Sequence, residues 1–203
     1  MKITSIRTQV KNTNRYSVFV DGKYSFSLGA DALLQSHLVT GDELTEADIR
    51  TYKKLSAEDK AFSLSLAFVV RRMRSEGELQ DYFNRKEYAP ELAEQITGRL
   101  KKLNFVDDEE FARRWVENRR LLKATSTKKL RLELRQKKVS NDIIQKVLGE
   151  DQTDERSVLR GLVEKKRKLT KYRDDPQKLM RYLASQGFGY DDIKSVLADT
   201  TEW

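Results

Sequence analysis

The chain has 203 residues, of which 38% are hydrophobic and 35% are charged, a balance too apolar for a disordered chain and polar for a compact globule. The net charge of +8 favours polyanionic partners through attraction and counterion release, and the absence of cysteine excludes disulfides and thiolate zinc sites. The first residues lack the apolar core of a signal peptide, and the longest apolar run, residues 66–70, is too short to span a bilayer. We therefore expect a cytoplasmic protein with no membrane partner.

The first part of the chain alternates like β-structure. Apolar and polar residues alternate over residues 15–28 around Asp21 and Gly22, which is typical of a hairpin. Because a two-residue turn would leave both faces half apolar, we favour a three-residue loop, with room for a bulge. Residues 3–10 are a candidate third strand, and residues 30–37 and 45–54 are candidate short helices, the second capped by Thr45 with Asp48.

From residue 56 onward the hydrophobic period is helical. Pro90 and Pro176 stand where helices would begin, and Ser75 with Glu78 forms a capping box. The pattern predicts nine helices, over residues 56–73, 75–85, 90–103, 107–122, 127–137, 140–148, 153–168, 176–185 and 190–198.

These helices form three related sets. One group of positions recurs 51 residues later: Leu79, Phe83, Lys86, Tyr88, Leu92 and Ile96 match Leu130, Leu134, Lys137, Val139, Ile143 and Val147. A further shift of 49 residues reaches Leu179, Leu183, Gln186, Phe188 and Val196. The long helices align through Phe62, Leu66 and Ala67, then Phe111, Trp115 and Val116, then Val158, Leu162 and Val163.

The repeat defines the fold class. We expect a mainly α protein, a tandem array of three three-helix repeats preceded by a small N-terminal module that contains a β-hairpin. The expected division is 1–55 for the N-terminal module, then 56–105, 106–150 and 151–203 for the three repeats.

No motif indicates catalysis. The four consecutive acids Asp107 to Glu110 could bind a magnesium ion. A structural role explains them better, with Asp107 as a helix cap and the other acids in the first turn of the helix. His37 is the only histidine and no nucleophile motif accompanies it, and there is no phosphate-binding loop. The sequence predicts a non-enzyme without metal, cofactor or small-molecule substrate.

Trp115 is the aromatic residue most open to two interpretations. With Phe111 and Leu122 it makes a helical apolar stripe, so we expect it to be mostly buried beside Phe111 and the helix at residues 127–137. The alternative, a base-stacking platform, would need exposed rings in a basic groove.

Basic residues are concentrated between Arg113 and Lys138. Eleven cations and two acids give this segment a charge of +9. Polyanion contact is the favoured interpretation, and a solvated surface is the alternative. The candidate binding residues are Arg71, Arg72, Arg74, Arg113, Arg114, Arg119, Arg120, Lys123, Lys128, Lys129, Arg131, Arg135, Lys137 and Lys138.

Four stretches carry a family resemblance: residues 71–79, 103–112, 132–139 and 186–188. In order and spacing they resemble the RecX family of bacterial RecA modulators, over about residues 57–198. The N-terminal hairpin is similar to an extension of members from low-GC Gram-positive bacteria. The chain departs from the family at residues 124–127, where a glycine is frequent, and at Lys137-Lys138-Val139, where a lysine–glycine–aliphatic step is usual.

The resemblance implies a partner and an activity. It implies repeats that lie in the groove of a RecA–DNA filament and restrain strand exchange, ATP turnover and co-protease activity in DNA repair, homologous recombination and the SOS response. Single- and double-stranded DNA alone would be bound weakly, with a strong salt dependence. Two other hypotheses stay open: a basic helical-repeat protein that binds DNA directly without a recombinase, and an enzyme centred on the acidic run.

Overall fold

A computed structural model describes residues 1–10 and 12–199. The chain forms two compact units. The first unit comprises Met1–Arg72 and Tyr88–Leu100, and the second comprises Met73–Glu87 and the chain from Lys101 onward.

Within the described residues, all strands precede the first helix. The strands are β1 (Ile3–Thr8), β2 (Arg15–Val20) and β3 (Lys23–Gly29), in one antiparallel sheet of order β1-β2-β3. The helices are α1 (Ala30–Ser36), α2 (Glu46–Val70), α3 (Glu76–Lys86), α4 (Pro90–Lys102), α5 (Asp108–Leu122), α6 (Thr127–Gln136), α7 (Asn141–Glu150), α8 (Glu155–Arg167), α9 (Thr170–Arg173), α10 (Pro176–Ser185) and α11 (Tyr190–Asp199). The mainly helical fold with a small N-terminal sheet is confirmed, and the single-turn helix α9 was not predicted.

The hairpin between β2 and β3 differs from the prediction in its turn. Asp21 and Gly22 both have positive φ (47° and 77°), and Val20 pairs with Lys23, so the loop has two residues and not three. The predicted three-residue loop is therefore wrong. A bulge on β3, which leaves Ser25 without a partner on β2, supplies the odd residue. Beyond it the apolar residues of both strands share the core face.

One continuous helix, α2, replaces the two helices predicted at residues 45–54 and 56–73. Thr45 and Asp48 form the expected capping box at its start. No glycine or proline occurs between Gly41 and Gly77, so nothing in the sequence breaks the helix. The proposed boundary between residues 55 and 56 falls inside α2, and the four-part division stays a prediction.

The helix α2 covers the edge of the sheet. The Ser56 hydroxyl accepts the backbone N–H of Ser27 (3.3 Å) and donates to its carbonyl oxygen (2.5 Å), which satisfies part of the free edge of β3. Tyr52 stacks on Phe26 at 5.4 Å between ring centres. The core of the N-terminal module is therefore closed on one side by α2.

Three of the matched sets of repeat positions are buried in all three repeats. Two clusters fill the second unit, one built on α5, α6 and α7 and the other on α8 to α11. Each position of these three sets is at most 4% exposed, whereas the matched Tyr88, Leu92 and Ile143 are half-buried; the three sets are Leu79, Leu130 and Leu179; Phe83, Leu134 and Leu183; Ile96, Val147 and Val196. Side-chain caps start most of these helices, with Asp107 accepting two N–H groups of α5 as expected.

Two equivalent joints connect corresponding helices of successive repeats within the second unit. In the first joint, the Ser75 hydroxyl at the start of α3 donates to the Lys137 carbonyl oxygen after α6 (2.5 Å). In the second joint, Ser126 at the start of α6 donates to the Gln186 carbonyl oxygen after α10 (2.9 Å). The donors are 51 residues apart and the acceptors 49, which are the repeat offsets.

Each joint adds a side-chain pair at matching positions. Lys137 Nζ lies 2.8 Å from Glu78 Oε1 in the first joint, and Lys138 pairs with Asp81 beside it. In the second joint, Lys129 Nζ donates to Gln186 Oε1 at 2.9 Å. Hydroxyl caps and these pairs fix the position of α3 against α6 and of α6 against α10.

Candidate polyanion-binding surface

Six of the fourteen candidate cations are engaged inside the second unit. They form ion pairs: Arg113 with Glu109 and Glu150, Arg114 with Glu110, Arg119 with Glu133, Arg120 with Asp151, Lys137 with Glu78, and Lys138 with Asp81. All of these acids except Glu133 lie outside the segment from Arg113 to Lys138. Much of the charge of +9 is therefore compensated by acids that the fold brings to it.

Arg120 is the most enclosed of these cations. Its side chain is 10% exposed, and it donates to Asp151 (2.7 Å), to the Thr125 carbonyl oxygen (2.5 Å) and to the Thr127 hydroxyl (2.9 Å). Burial alone would raise the pKa of the Asp151 carboxyl, but hydrogen bonds from Thr153 and Arg120 outweigh burial and hold that pKa below its usual value. Arg120 stabilises the fold and is not available to a partner.

Lys129 belongs to the second joint. Its ammonium group also donates to the Ser185 carbonyl oxygen (3.2 Å), so the side chain is half-buried against the end of α10. The sequence analysis included Lys129 among the candidate binding residues together with Lys128, Arg131 and Arg135 of the same helix. The structure separates it from them.

The remaining candidates differ in exposure. Arg71, Arg72 and Lys123 are exposed, and Arg74 is half-buried. Arg135 is exposed and donates to the neutral Asn141 side chain (3.1 Å). Among the residues that the structure describes, none forms an ion pair or side-chain hydrogen bond with Lys123, Lys128 or Arg131.

The outward face of α6 carries three candidate cations that have no acidic partner among the described residues. Leu130 and Leu134 are fully buried, and at 3.6 residues per turn Lys128, Leu132 and Arg135 lie on the opposite side of the helix, with Arg131 at the edge. Leu132 is 55% exposed. We call Lys128, Arg131, Leu132 and Arg135 the α6 face. Sequence reasoning found its cations and missed Leu132, although a leucine two residues from each core leucine must point away from the core.

Trp115 lies where it was expected, packed against the core cluster of the second repeat with a minor part of its side chain exposed. Its ring stacks on Phe111 (5.8 Å), its Nε1–H donates to Glu133 of α6 (2.8 Å), and the Arg119 guanidinium lies 4.4 Å from the ring centre. Leu122, the third member of the predicted stripe, is 72% exposed. The indole stabilises the contact between α5 and α6, and its ring faces are covered.

The acidic run also has a structural role. Asp108 accepts the backbone N–H of Glu76 at the start of α3 (2.7 Å), and burial raises the pKa of the Asp108 carboxyl. Within the described part of the chain, no group of three or more acidic or histidine side chains is arranged to hold a metal ion. In the same residues, no helix is both long and apolar enough to cross a membrane.

The fold and the surface define a class, that of basic proteins built from tandem three-helix units. Four family models identify the family: the "Regulatory protein RecX N-terminal domain" matches residues 1–45, and the first, second and third three-helix domains of RecX match residues 61–100, 107–148 and 154–197. The chain belongs to the RecX family of regulatory proteins.

Individual relatives agree with the family models. The chain is 34% identical to "Regulatory protein RecX" of Bacillus subtilis (strain 168), over 96% of this chain and 75% of the relative. It is 31% identical to the protein of the same description from Clostridium botulinum (strain Eklund 17B / Type B), over 98% and 95%. A crystal structure described as regulatory protein RecX superposes with a TM-score of 0.75 at 25% identity, over 97% of this chain and 98% of that one.

Proposed function

We propose that this RecX-type regulator binds the RecA–DNA nucleoprotein filament and restrains its ATP turnover, strand exchange and co-protease activity without chemistry of its own. The observation that carries the proposal is the α6 face, where Lys128 and Arg131 lack an acidic partner among the described residues and Leu132 is exposed between cations. Free cations gain most from a polyanion, because no internal ion pair has to be broken first.

The exposed leucine favours a filament over DNA alone. Phosphate and sugar offer little to an aliphatic side chain, whereas burial of Leu132 against protein adds about 1–2 kcal/mol at about 25 cal/mol per Å² of apolar area. A RecA–DNA filament presents both protein surface and phosphate to one face. The alternative partner, DNA without a recombinase, would use the cations and leave the leucine in water.

The joints support a contact made at several points. Hydrogen bonds and ion pairs fix α3 against α6 and α6 against α10. Cations on these three helices therefore keep set positions relative to one another. Contacts held in a fixed geometry act at high effective concentration, so individually weak contacts combine into useful affinity.

The direct test removes the cations of the α6 face. We expect the variant Lys128→Ala/Arg131→Ala/Arg135→Ala to stay folded, because Lys128 and Arg135 lie opposite the core leucines of α6 and Arg131, at the edge of the face, forms no ion pair or side-chain hydrogen bond with a described residue. Filament affinity should fall, and each lost phosphate contact should flatten the slope of log affinity against log salt by up to about one unit. Inhibition of RecA ATPase and of strand exchange should weaken in parallel.

The matched control removes the same charge elsewhere in the second unit. Arg114, Lys146 and Arg156 are exposed cations paired with Glu110, Glu109 and Asp199. Their triple alanine variant should leave the salt slope and the inhibition near those of the parent, because these charges are already compensated. Equal effects of the two triple variants would show that only net charge matters and would contradict the proposed face.

A single change separates the two partners. Leu132→Ala should weaken filament binding and leave the affinity for free DNA unchanged, since only a protein surface can bury the leucine. If Leu132→Ala has no effect on filament binding while the triple variant loses affinity for DNA and filament alike, direct DNA binding is the better description.

A further inference from the structure

The outer face of the N-terminal sheet carries an aromatic cluster. Val18 and Phe26 point into the core of the module, and the alternation of the strands turns Phe19 and its partner Tyr24 to the opposite face. Their rings meet edge to face with centres 6.1 Å apart. The Arg7 guanidinium carbon of β1 lies 5.1 Å from the centre of the Phe19 ring.

This cluster is open to solvent. Tyr24 is 59% exposed, Phe19 is half-buried and Arg7 is exposed. The neighbouring positions that share the face carry hydroxyl or amide groups, such as Ser17, which pairs with Arg7 and accepts a hydrogen bond from Gln9 Nε2 (3.1 Å). Tyr24 is therefore the ring of this cluster that is most accessible to a planar ligand.

The strand-forming part of the module has more cations than acids. Residues 1–28 include five lysines and arginines and one acid, Asp21. Asp21 lies in the turn, where its carboxylate accepts the backbone N–H of Lys2 (2.8 Å). Arg15 turns away from the cluster to pair with Asp59 of α2 (2.8 Å). The outward positions of the three strands thus carry rings, hydroxyls, amides and Arg7, and no carboxylate among the described residues.

We propose that this sheet face is a binding site for single-stranded nucleic acid, with unpaired bases stacking on Tyr24 and Phe19 and a phosphate contacting Arg7. Exposed rings beside an arginine suit this ligand because every base has a π-face, and stacking does not depend on sequence. In a duplex the bases are already stacked on one another, so the rings would gain nothing from it. The site lies in the N-terminal module and is independent of the α6 face.

The first test measures affinity for free single-stranded DNA. With the full chain and fluorescein-labelled oligo(dT) of about 20 nucleotides, Tyr24→Ala should weaken binding about 5-fold or more, since one base–aromatic stack contributes about 1–3 kcal/mol. Tyr24→Phe keeps the ring and should keep the affinity. Binding of heparin, which has charge and no bases, should be the same for all three proteins.

Tyr190 provides a matched control. It is 58% exposed and has a lysine, Lys194, with its ammonium 5.1 Å from the ring centre, but Asp191 and Asp192 follow it directly. Tyr190→Ala should therefore bind oligo(dT) like the parent. An unchanged affinity of Tyr24→Ala, or equal losses for Tyr24→Ala and Tyr190→Ala, would overturn the proposal.

The second test locates the contact in the unmodified chain and needs no variant to fold. Photocrosslinking to oligo(dT) that carries 5-iododeoxyuridine, followed by trypsin, should label the peptides of residues 16–23 and 24–50. Crosslinks confined to peptides of α5 to α11 would overturn the proposal and assign DNA binding to the repeats. Since no RecA is present, either result is independent of the proposed action on the filament.

Discussion

The first joint predicts that Gly77 cannot be replaced by alanine without cost. Gly77 is the second residue of α3, and a Cβ added there would lie 2.3 Å from Lys138 Cβ, 3.1 Å from Lys138 Cδ and 3.2 Å from the Lys137 carbonyl oxygen. The nearest atom is bonded to the backbone, so a rotamer change of Lys138 cannot move it away. The two segments would have to separate by about 1 Å to restore an ordinary contact.

The magnitude follows from what holds the segments together. Separation would stretch the bond from Ser75 to the Lys137 carbonyl oxygen and the ion pair between Lys137 and Glu78. An added methyl group in a site that cannot relax costs about 1–3 kcal/mol. Alanine in place of glycine returns at most about 1 kcal/mol of helix propensity, and less in the first turn. We expect Gly77→Ala to lower the free energy of unfolding by about 1–2 kcal/mol.

The assay is equilibrium unfolding in urea followed by circular dichroism. Gly161→Ala is the matched control, because Gly161 lies inside α8 with no atom within 4 Å of the added Cβ, and it should gain up to about 1 kcal/mol. Lys138→Gly removes the opposing Cβ at a residue with φ of 60°, a conformation that glycine adopts without strain. The double variant Gly77→Ala/Lys138→Gly should therefore recover most of the loss.

Two outcomes would refute this reasoning. Gly77→Ala could be as stable as Gly161→Ala, which would mean that the joint yields without cost. Alternatively, Lys138→Gly could fail to rescue Gly77→Ala, and the two single effects would then simply add. A coupling free energy of about 1 kcal/mol or more between the two positions supports the geometry.

Two further predictions concern α5. Trp115→Ala should destabilise by about 2–4 kcal/mol in urea unfolding, less than a fully buried tryptophan, and Trp115→Phe should lose less because the stack on Phe111 survives; a neutral alanine variant would contradict this packing. Because burial raises the pKa of Asp108, its contribution to stability is complete below the ordinary value of 3.8 and is lost as the pH rises through the raised pKa. The free energy of unfolding of Asp108→Asn should thus increase relative to that of the parent as the pH rises above 3.8. A difference between the two proteins that does not change with pH would show that the pKa of Asp108 is not raised.

Large aliphatic and aromatic residues made the repeats predictable from the sequence. Their spacing identified the core positions of α3, α6 and α10, because large apolar side chains dominate the hydrophobic pattern of a sequence and are also the ones whose burial stabilises a fold most. The long helix α2 was harder. Its buried residues are Ala61, Ser65 and Val69, whereas Phe62 and Leu66, through which the repeat alignment runs, are half-buried. Small residues give a weak hydropathy signal, so the sequence pattern did not identify the buried positions of α2.

The charge of the second repeat could be counted from the sequence, but its availability could not. Arg113 and Arg120 pair with Glu150 and Asp151, which lie 37 and 31 residues further along the chain. Lys137 and Lys138 pair with acids of α3. Such pairs depend on how helices dock, which no local pattern specifies. The α6 face was predictable in its cations because Leu130 and Leu134 fix the inward side of one short helix.

The two joints explain why three similar repeats pair in one order. Equivalent positions carry different groups: Glu78 opposite Lys137 in the first joint, and Lys129 opposite Gln186 in the second. If the start of α6 docked against the end of α6 in another copy of the chain, Lys129 would lie opposite Lys137. This arrangement would bring two ammonium groups together. The two joints also place the glycine that permits close approach on opposite sides. In the first joint it is Gly77 at the start of α3, and in the second it is Gly187 after α10 (φ 91°). Pairing of the α6 start with another α6 end therefore meets a like charge and a steric clash, and pairing of the α3 start with the α10 end loses the ion pair between Glu78 and Lys137, so the observed order is favoured over both.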